Sequence, residues 1–462
     1  MDQTGHTAAP AGTVKLSELL GALSFALDMT EGQPEGHCVR CCWIGMHVGR
    51  ELGLSDAELW ELYYTLLLKD LGCSSNAARI CQLYLTDDID FKRGFKTVGD
   101  RLPEVLRFVL SHTGLKSGLS ERFRTILNIM QNGAEIAREL IETRCQRGAD
   151  IARQLRFSEA VAHGIQCLDE HWDGRGKPAG LAGEAIPAYS RVALLAQVVD
   201  VFGTAGGREA AEREVVARSG TWFCPDTVAA FGRVAADPAF WAALTSLDLA
   251  ATIFDLEPAQ HAKPVDEGYL DDIAEAFALV VDSKSPFTSG HSTRVAFFTD
   301  LIAGELDLTP ERRRWLKRGA LLHDVGKLGV SNSILDKPGK PDEVEWAAIR
   351  RHPADTARIL SRIASFRDLA EMAGAHHERL DGKGYPNGLK GDEISLETRI
   401  ITTADIFDAL TADRPYRAGM PVSQAVGIIE KDVGTAVDAE CLAALRRVIA
   451  KLDRMEPLAE AA

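Results

Sequence analysis

The amino-acid sequence predicts an all-α protein built from two tandem helical bundle domains. Apolar residues recur at helical spacing, as in Leu270, Ile273, Phe277 and Val280. Few segments show the alternation of apolar and polar residues that is typical of half-buried strands. The chain has 462 residues, which exceeds one ordinary core, so two domains are expected. We expect five to seven helices in each core.

An internal repeat supports the two-domain organisation. Two segments recur after 254 residues and a third recurs after 208, and the matched pairs are residues 36–40 with 290–294, 67–72 with 321–326, and 173–178 with 381–386. The fall in spacing predicts an insertion in the first copy, around residues 77–131. Its polar, turn-rich composition favours a solvated elaboration over a regulatory surface.

The domain limits follow from the repeat and from a short linker. Residues 257–265 include Pro258 and Pro264 among polar residues, which is typical of a linker. We therefore expect the first domain at residues 13–256 and the second at residues 266–455. Ser55 and Thr309 precede acidic stretches with helical periodicity and are predicted helix N-caps.

Composition and charge exclude several classes of protein. The formal net charge of -15 argues against binding a nucleic-acid polymer, because such a surface needs clustered Lys and Arg. No apolar run is long enough to span a bilayer, and the N-terminus lacks the pattern of an export signal. We expect a cytoplasmic protein that does not bind membranes, with its nine cysteines reduced and packed as small hydrophobic residues.

Three motifs in the second copy carry the chemistry. Residues 321–327 read LLHDVGK, residues 376–386 read HHERLDGKGYP, and residues 403–405 read TAD. In this order the motifs resemble the HD-GYP family of metal-dependent phosphodiesterases, whose substrate is the second messenger cyclic di-GMP. The resemblance covers residues 269–453. It implies an HD-type helical bundle in each copy.

The resemblance also implies a set of metal ligands. One ion would be held by His291, His323, Asp324 and Asp405, and Asp324 would bridge to a second ion held by His352, His376 and His377. Two cations close together lower the pKa of a bridging water and neutralise developing charge on a phosphodiester. Imidazole and carboxylate ligands without thiolate suit iron or manganese, with zinc or nickel as competitors. Asp408 is expected to orient a ligand.

Further residues are implied as contacts to the substrate. Lys327, one helical turn after His323, would contact a phosphate or the metal-bound hydroxide, so Lys327 joins Asp324 as a catalytic residue. Arg414 and Arg417 would bind phosphate oxygens, and Tyr385 would shape the pocket lip.

Phe287 stands where some family members carry a glutamate that binds a third ion. Phenylalanine cannot ligate a metal, so two ions per chain are expected. The side chain would either stack on a base or fill the core.

The first copy has lost most of the implied ligands. His37 and Asp70 survive, and the other positions hold Lys69, Asn132, Leu168, Asp169 and Gln197, with Cys73 in place of Lys327. An ammonium group in place of a ligand repels a cation, and Lys69 is expected to neutralise Asp70. The first copy is therefore predicted to be a pseudo-enzymatic domain.

The expected function is a metal-dependent phosphodiesterase that hydrolyses cyclic di-GMP through a metal-bound hydroxide. The expected product is linear pGpG, and onward hydrolysis to GMP stays open. Two alternatives are also open: a phosphohydrolase acting on another cyclic dinucleotide or nucleotide, and a non-enzymatic signalling adaptor. A homodimer or a signalling-protein partner is compatible with either. The seven intact ligands of the second copy disfavour the adaptor as the whole function, and the GYP segment weighs against a mononucleotide without fixing the bases of the substrate.

Overall fold

The computed structural model describes residues 15–99, 102–115, 117–246, 248–261, 264–413 and 418–459, and it confirms the all-α prediction. Within these ranges the regular elements are α-helices and short 3₁₀ helices, with isolated β-bridges but no β-strand. None of the described helices is long and apolar enough to cross a membrane.

The chain divides into two compact units. The first runs to Tyr269 and includes Ser331–Ser333, and the second comprises Leu270–Val330 and continues from Ile334.

The first unit contains the helices of the first copy and its insertion: α1 (Leu16–Thr30), α2 (His37–Glu51), α3 (Asp56–Leu68), α4 (Ala77–Tyr84), α5 (Asp88–Phe95), α6 (Leu102–His112), α7 (Leu119–Gln154), α8 (Glu159–Gln166), α9 (Ala188–Gly206), α10 (Arg208–Ala217), α11 (Pro225–Ala235), α12 (Pro238–Leu244) and α13 (Leu249–Phe254). In its bundle, α2 packs against α3 and α9, and α8 packs against α3 and α7.

The second copy contains α14 (Glu267–Asp282), α15 (His291–Glu305), α16 (Pro310–Leu322), α17 (Asn332–Leu335), α18 (Glu343–Ile349), α19 (His352–Leu360), α20 (Arg367–Gly374), α21 (Leu396–Thr411), α22 (Val422–Ile429) and α23 (Ala439–Ala459). The central helix α15 packs against α16, α21 and α23, and α20 packs against α16 and α19. The described helices outnumber the five to seven expected in each core, because several are short pieces such as the four-residue α17.

Local sequence explains where the long helices begin. The Ser55 side chain accepts a hydrogen bond from the Glu58 main-chain N–H in a reciprocal capping box. The Thr309 side chain accepts from the Arg312 main-chain N–H, ahead of Pro310 at the first helical position. Both predicted N-caps are therefore confirmed. Each cap contributes about 1 kcal/mol.

The periodic residues of the second copy also behave as predicted. Leu270, Ile273, Phe277 and Val280 all lie on α14 and are buried. Burying an apolar side chain of this size contributes about 1.5 to 3 kcal/mol, so one face of α14 is anchored firmly in its bundle.

Candidate metal centre

The seven predicted ligands converge in the second unit, and most of them lie at helix ends. His291 begins α15, His323 follows α16, Asp324 precedes the 3₁₀ helix Val325–Gly329, His352 begins α19, His376 and His377 follow α20, and Asp405 lies on α21. Their donor atoms form overlapping groups in which all atoms lie within 4.8 Å of one another: His291 with His323 and Asp324, His323 with His376 and Asp405, and His352 with His376 and His377. The structure thus brings together side chains that are 114 residues apart.

Three of the imidazoles are oriented by the main chain. The Nδ1 atoms of His323, His352 and His376 lie 2.6 Å from the carbonyl oxygens of Ala320, Ile349 and Ala373. A carbonyl oxygen can only accept a hydrogen bond, so each Nδ1 carries the proton. Each Nε2 then keeps its lone pair, which is the form that binds a metal.

Asp324 lies at the middle of the group and faces both halves of it. Its Oδ2 is 3.3 Å from Nε2 of His291 and 3.3 Å from Nε2 of His323. Its Oδ1 is 3.3 Å from Nε2 of His352 and 3.7 Å from Nε2 of His376. Each carboxylate oxygen of Asp324 therefore faces a different pair of imidazoles.

Asp408 and Arg294 hold His291 in place. Nδ1 of His291 donates to Oδ2 of Asp408 at 2.7 Å. The Arg294 guanidinium donates to both oxygens of Asp408, from Nε at 2.5 Å and from Nη2 at 3.1 Å. Asp408 thus lies where it can orient His291, and Arg294 in turn orients Asp408.

The charges around the centre favour binding of a cation. Although burial alone would lower it, the carboxylates of Asp324, Asp405 and Asp408 raise the pKa of His291 to about 10. Burial and the neighbouring imidazole of His352 lower the pKa of His377 to about 3. Three carboxylates therefore lie close to His291, while His377 stays a neutral imidazole that can act as a ligand.

The residues present fit divalent metal ions. Nε2 of His291, Nε2 of His323 and Oδ1 of Asp324 are buried and have no hydrogen-bond partner in the described part of the chain. A buried polar atom without a partner costs about 1 to 3 kcal/mol, and metal coordination removes that cost. Nitrogen and oxygen donors without sulfur suit iron or manganese.

Lys327 and Tyr385 border the group. Lys327 lies on the 3₁₀ helix that follows Asp324, and its Nζ is 2.5 Å from Oδ2 of Asp324. The Tyr385 ring lies 4.9 Å from the His377 ring, between centroids. Burial, Asp405 and Asp324 raise the pKa of Tyr385, so the phenol stays protonated beside the centre. Both residues are placed to contact a molecule held there.

Phe287 is half-buried and lines a cleft of about 560 Å³ together with Phe298, Phe407 and Asp408. The predicted contacts Arg414 and Arg417 lie outside the described residues.

Sequence reasoning missed Glu378, which holds the turn that carries Tyr385. The buried Glu378 carboxylate accepts hydrogen bonds from the main-chain N–H groups of Asn387 at 2.6 Å, Gly388 at 3.2 Å and Leu389 at 3.0 Å. In the first copy Glu170 makes the same three bonds to residues 179–181. The sequence carried one signal for this role: Glu170 and Glu378 are separated by 208 residues, the spacing of the repeat.

Sequence reasoning also missed Arg350. Its guanidinium carbon lies 5.5 Å from the centre of the Tyr385 ring, and the Tyr385 ring contacts His377. The side chain is exposed, which leaves it accessible to an anion at the mouth of the centre. The only signal in the sequence is its position two residues before His352.

In the first copy the ammonium of Lys69 occupies the corresponding centre. Lys69 is buried, and its Nζ contacts the Asp70 carboxylate, Nε2 of His37 at 2.9 Å and Oε1 of Gln197 at 3.2 Å. Burial and Lys69 together lower the pKa of His37 to about 4, the opposite of the shift at His291. The buried lysine thus places a positive charge among the residues of the first copy that correspond to the predicted metal ligands.

The residue equivalent to His352 is Arg144, so the match to Asn132 is wrong. A Cβ on Gly326 would collide with the main-chain oxygen of His352, and a Cβ on Gly72 would collide with that of Arg144. These equivalent close approaches align Arg144 with His352, whereas Asn132 is exposed on α7.

Arg144 is ion-paired with Asp169, which stands at the position of His377. An ion pair therefore replaces the other half of the centre. The alignment of Arg144 also extends the insertion beyond residue 131.

Comparisons with known proteins agree with this architecture. A family model described as HD domain matches residues 119–214 and 275–441. A Vibrio cholerae protein named 3'3'-cGAMP-specific phosphodiesterase 3 is 57% identical over 437 residues, which cover 95% of each chain. The cyclic di-GMP phosphodiesterase response regulator RpfG of Xanthomonas campestris is 37% identical over 38% of this chain and 48% of its own.

A solved structure resembles the whole chain. The crystal structure of a cyclic GMP-AMP specific phosphodiesterase of V. cholerae, V-cGAP3, has a TM-score of 0.67 and 52% sequence identity, over 95% of this chain and 98% of its own. That likeness extends through both copies.

Proposed function

This chain belongs to the HD-domain family, as an HD-GYP-type protein with a degenerate copy followed by an intact one, and we propose that its substrate is 3′3′-cGAMP. The chain is a metal-dependent cyclic dinucleotide phosphodiesterase. The choice of substrate rests on one observation: the relative that matches nearly the whole chain is named for 3'3'-cGAMP.

Cyclic di-GMP, the substrate expected from the motifs, is the second candidate. The named cyclic di-GMP phosphodiesterases of Xanthomonas campestris and Pseudomonas aeruginosa match only 38% and 40% of this chain. The match to the protein named for 3'3'-cGAMP covers 95% of this chain, more than twice the share that either of these two relatives covers. Both substrates present the same phosphodiester to the metal centre, so the bases distinguish them.

Two divalent ions, iron or manganese, are proposed at the centre, and the seven ligands, Asp324 among them, would hold these ions. When bound, they would supply Lewis acidity toward a phosphodiester and toward water. The residues of the chain do the rest. Main-chain carbonyls fix the imidazole tautomers, and Asp408 fixes His291. Lys327, beside Asp324, would place an ammonium against the phosphate.

The groups around the centre would position the substrate. Tyr385, held by the turn that Glu378 anchors, would form one wall, and Arg350 would bind a non-bridging phosphate oxygen. Arg414 and Arg417 are proposed to bind the second phosphate. Phe287 is proposed to offer a base a stacking surface.

Competition among cyclic dinucleotides tests the substrate. The purified chain, loaded with manganese or ferrous iron, is incubated with equimolar 3′3′-cGAMP, cyclic di-GMP and cyclic di-AMP, and the products are separated by chromatography. We expect kcat/KM for 3′3′-cGAMP to exceed kcat/KM for cyclic di-GMP and for cyclic di-AMP at least tenfold. A tenfold ratio corresponds to a difference of about 1.4 kcal/mol in transition-state stabilisation. Equal or greater turnover of cyclic di-GMP would overturn the substrate assignment while leaving the phosphodiesterase activity intact.

Replacing Arg350 tests the phosphate contact. Arg350→Ala is expected to raise KM about tenfold or more, because a hydrogen bond to a charged group contributes about 1.5 to 3 kcal/mol. Metal content should not change, since Arg350 contacts Tyr385 rather than a ligand. Arg351→Ala, at the adjacent exposed position, is the matched control and should keep the wild-type KM. Loss of metal in Arg350→Ala would instead assign Arg350 a structural role.

A further inference from the structure

The first half of α7, inside the insertion of the first copy, has an apolar face that is open to solvent. Leu119 is 85% exposed, Phe123 70%, Leu127 44% and Met130 63%. Ile126 lies among them and is half-buried. Monomeric soluble proteins rarely leave such a contiguous apolar surface in water, and those that do use it for binding.

This face is separate from the one that α7 uses within its own unit. Ile129 and Ile136 are buried in a cluster with Leu83, Phe91 and Phe108. At about 100° per residue, the open face is turned roughly 100° around the helix from that buried face. A helix with one apolar face needs one neighbour, whereas this half of α7 has two such faces. The buried cluster of the insertion covers one of these faces. The other face therefore needs a second partner to be buried.

The open face has a spacing that suits a copy of itself. Leu119, Phe123, Ile126 and Met130 follow one another at intervals of four, three and four residues, which are the a and d positions of two heptads. The order of these intervals is the same from the N-terminal and from the C-terminal end of the segment. In an antiparallel pair centred between residues 124 and 125, Phe123 would meet Ile126 of a second copy, and Leu119 would meet Met130. An isologous interface requires this reciprocity.

The exposed apolar area is a substantial share of what a stable dimer needs. A fully exposed large apolar side chain presents on the order of 200 Å². Leu119, Phe123, Leu127 and Met130 together therefore present on the order of 500 Å². Standard interfaces bury about 800 Å² per partner.

We propose that the insertion is a dimerisation element, in which the first half of α7 pairs antiparallel with the same segment of a second copy of this chain. The pair buries Leu119, Phe123, Ile126 and Met130 between two identical helices. This inference does not depend on which nucleotide the second copy hydrolyses. It gives the insertion a function in assembly rather than in catalysis.

Solution mass measurements test the proposal. Light scattering on the full chain should give about 100 kDa, twice the chain mass of 50.2 kDa. Phe123→Glu should raise the dissociation constant at least about thirtyfold, the effect of losing one interface hot spot. Val344→Glu, which adds the same charge at a residue that is 79% exposed in the second unit, is the matched control and should stay dimeric. A monomeric wild-type chain, a dimeric Phe123→Glu variant or a monomeric Val344→Glu variant would overturn the proposal.

Mixing two variants tests the antiparallel arrangement and excludes simple misfolding. Phe123→Glu and Ile126→Lys should each be monomeric alone, with wild-type helix content by circular dichroism. Mixed together they should form a heterodimer, because Glu at position 123 then faces Lys at position 126 across the pair. Restored dimerisation supports the proposed pairing. Two variants that stay monomeric when mixed would overturn it.

Discussion

Asp324→Asn is expected to abolish turnover of the cyclic dinucleotide and to lower the metal content of the protein. Asp324 is buried, and its two oxygens face the imidazoles of both halves of the centre, at 3.3 Å from His291 and 3.3 Å from His352. Asparagine keeps the shape but removes the charge that would hold two cations together. Lewis-acid stabilisation contributes several kcal/mol, so kcat/KM should fall at least about a thousandfold. Kinetics and elemental analysis of the same samples provide the measurement.

The first copy offers a matched control for this loss. His37 occupies the position of His291, and its Nδ1 contacts Asp200 at 2.6 Å in the same manner as His291 contacts Asp408. His37→Ala should keep both turnover and metal content, because Lys69 rather than a metal neutralises that centre. Full activity in Asp324→Asn would refute the metal assignment. A large loss of turnover in a folded His37→Ala protein would show instead that the first copy takes part in catalysis.

Most of the fold could be predicted because its signals are local. The periodicity of α14 and the caps at Ser55 and Thr309 depend on residues only three or four positions apart, and the structure shows all of them. The repeat spacing of 254 residues correctly paired His37 with His291, since both begin a helix after a glycine with positive φ.

The prediction of equivalent positions failed within the insertion. Between Asp70 and Asp173 the first copy has no motif that anchors the alignment, so the position equivalent to His352 was placed at Asn132, twelve residues before Arg144. Only the close approach of main chains at Gly72 and Gly326 reveals the correct match. The surrounding α7 is continuous over 36 residues, and nothing in its sequence marks where the inserted part ends.

Residues that act through distant contacts were not predictable from the sequence. The proposed role of Arg350 depends on its contact with the Tyr385 ring, 35 positions later. The role of Arg294 depends on its hydrogen bond to Asp408, more than 100 positions later. Such pairs carry no periodicity and no fixed spacing. The side-chain tautomers were also beyond sequence reasoning, because they depend on carbonyl oxygens at helix ends.

The first copy keeps the helical fold with ion pairs at the positions of the predicted ligands. A buried carboxylate such as Asp70 is costly unless a cation lies close to it. Lys69 provides that cation in one half, and in the other half Arg144 and Asp169 neutralise each other. In the first copy the chain itself therefore supplies the positive charge beside both carboxylates.

Lys69→Met is therefore expected to destabilise the first unit by about 3 to 5 kcal/mol at neutral pH, the cost of leaving one partner of a buried pair uncompensated. Five of the seven tryptophans lie in the first copy, so urea unfolding followed by fluorescence reports mainly on that unit. Lys15→Met is the matched control. Lys15 is 64% exposed and lies 3.9 Å from Asp255, so losing that pair should cost less than about 1 kcal/mol.

The pH dependence identifies the carboxylate involved. Burial alone would raise the pKa of Asp70, but Lys69 outweighs burial and holds it well below the ordinary value. In the wild-type chain this contribution is present above the unfolded pKa of about 3.9 and is lost as the pH falls below it. Without Lys69, burial should raise the pKa of Asp70, so at pH 5 the carboxyl takes up a proton and the deficit of the variant should shrink relative to pH 7. A variant as stable as wild type at pH 7, or a deficit equal at both pH values, would show that Lys69 does not neutralise Asp70.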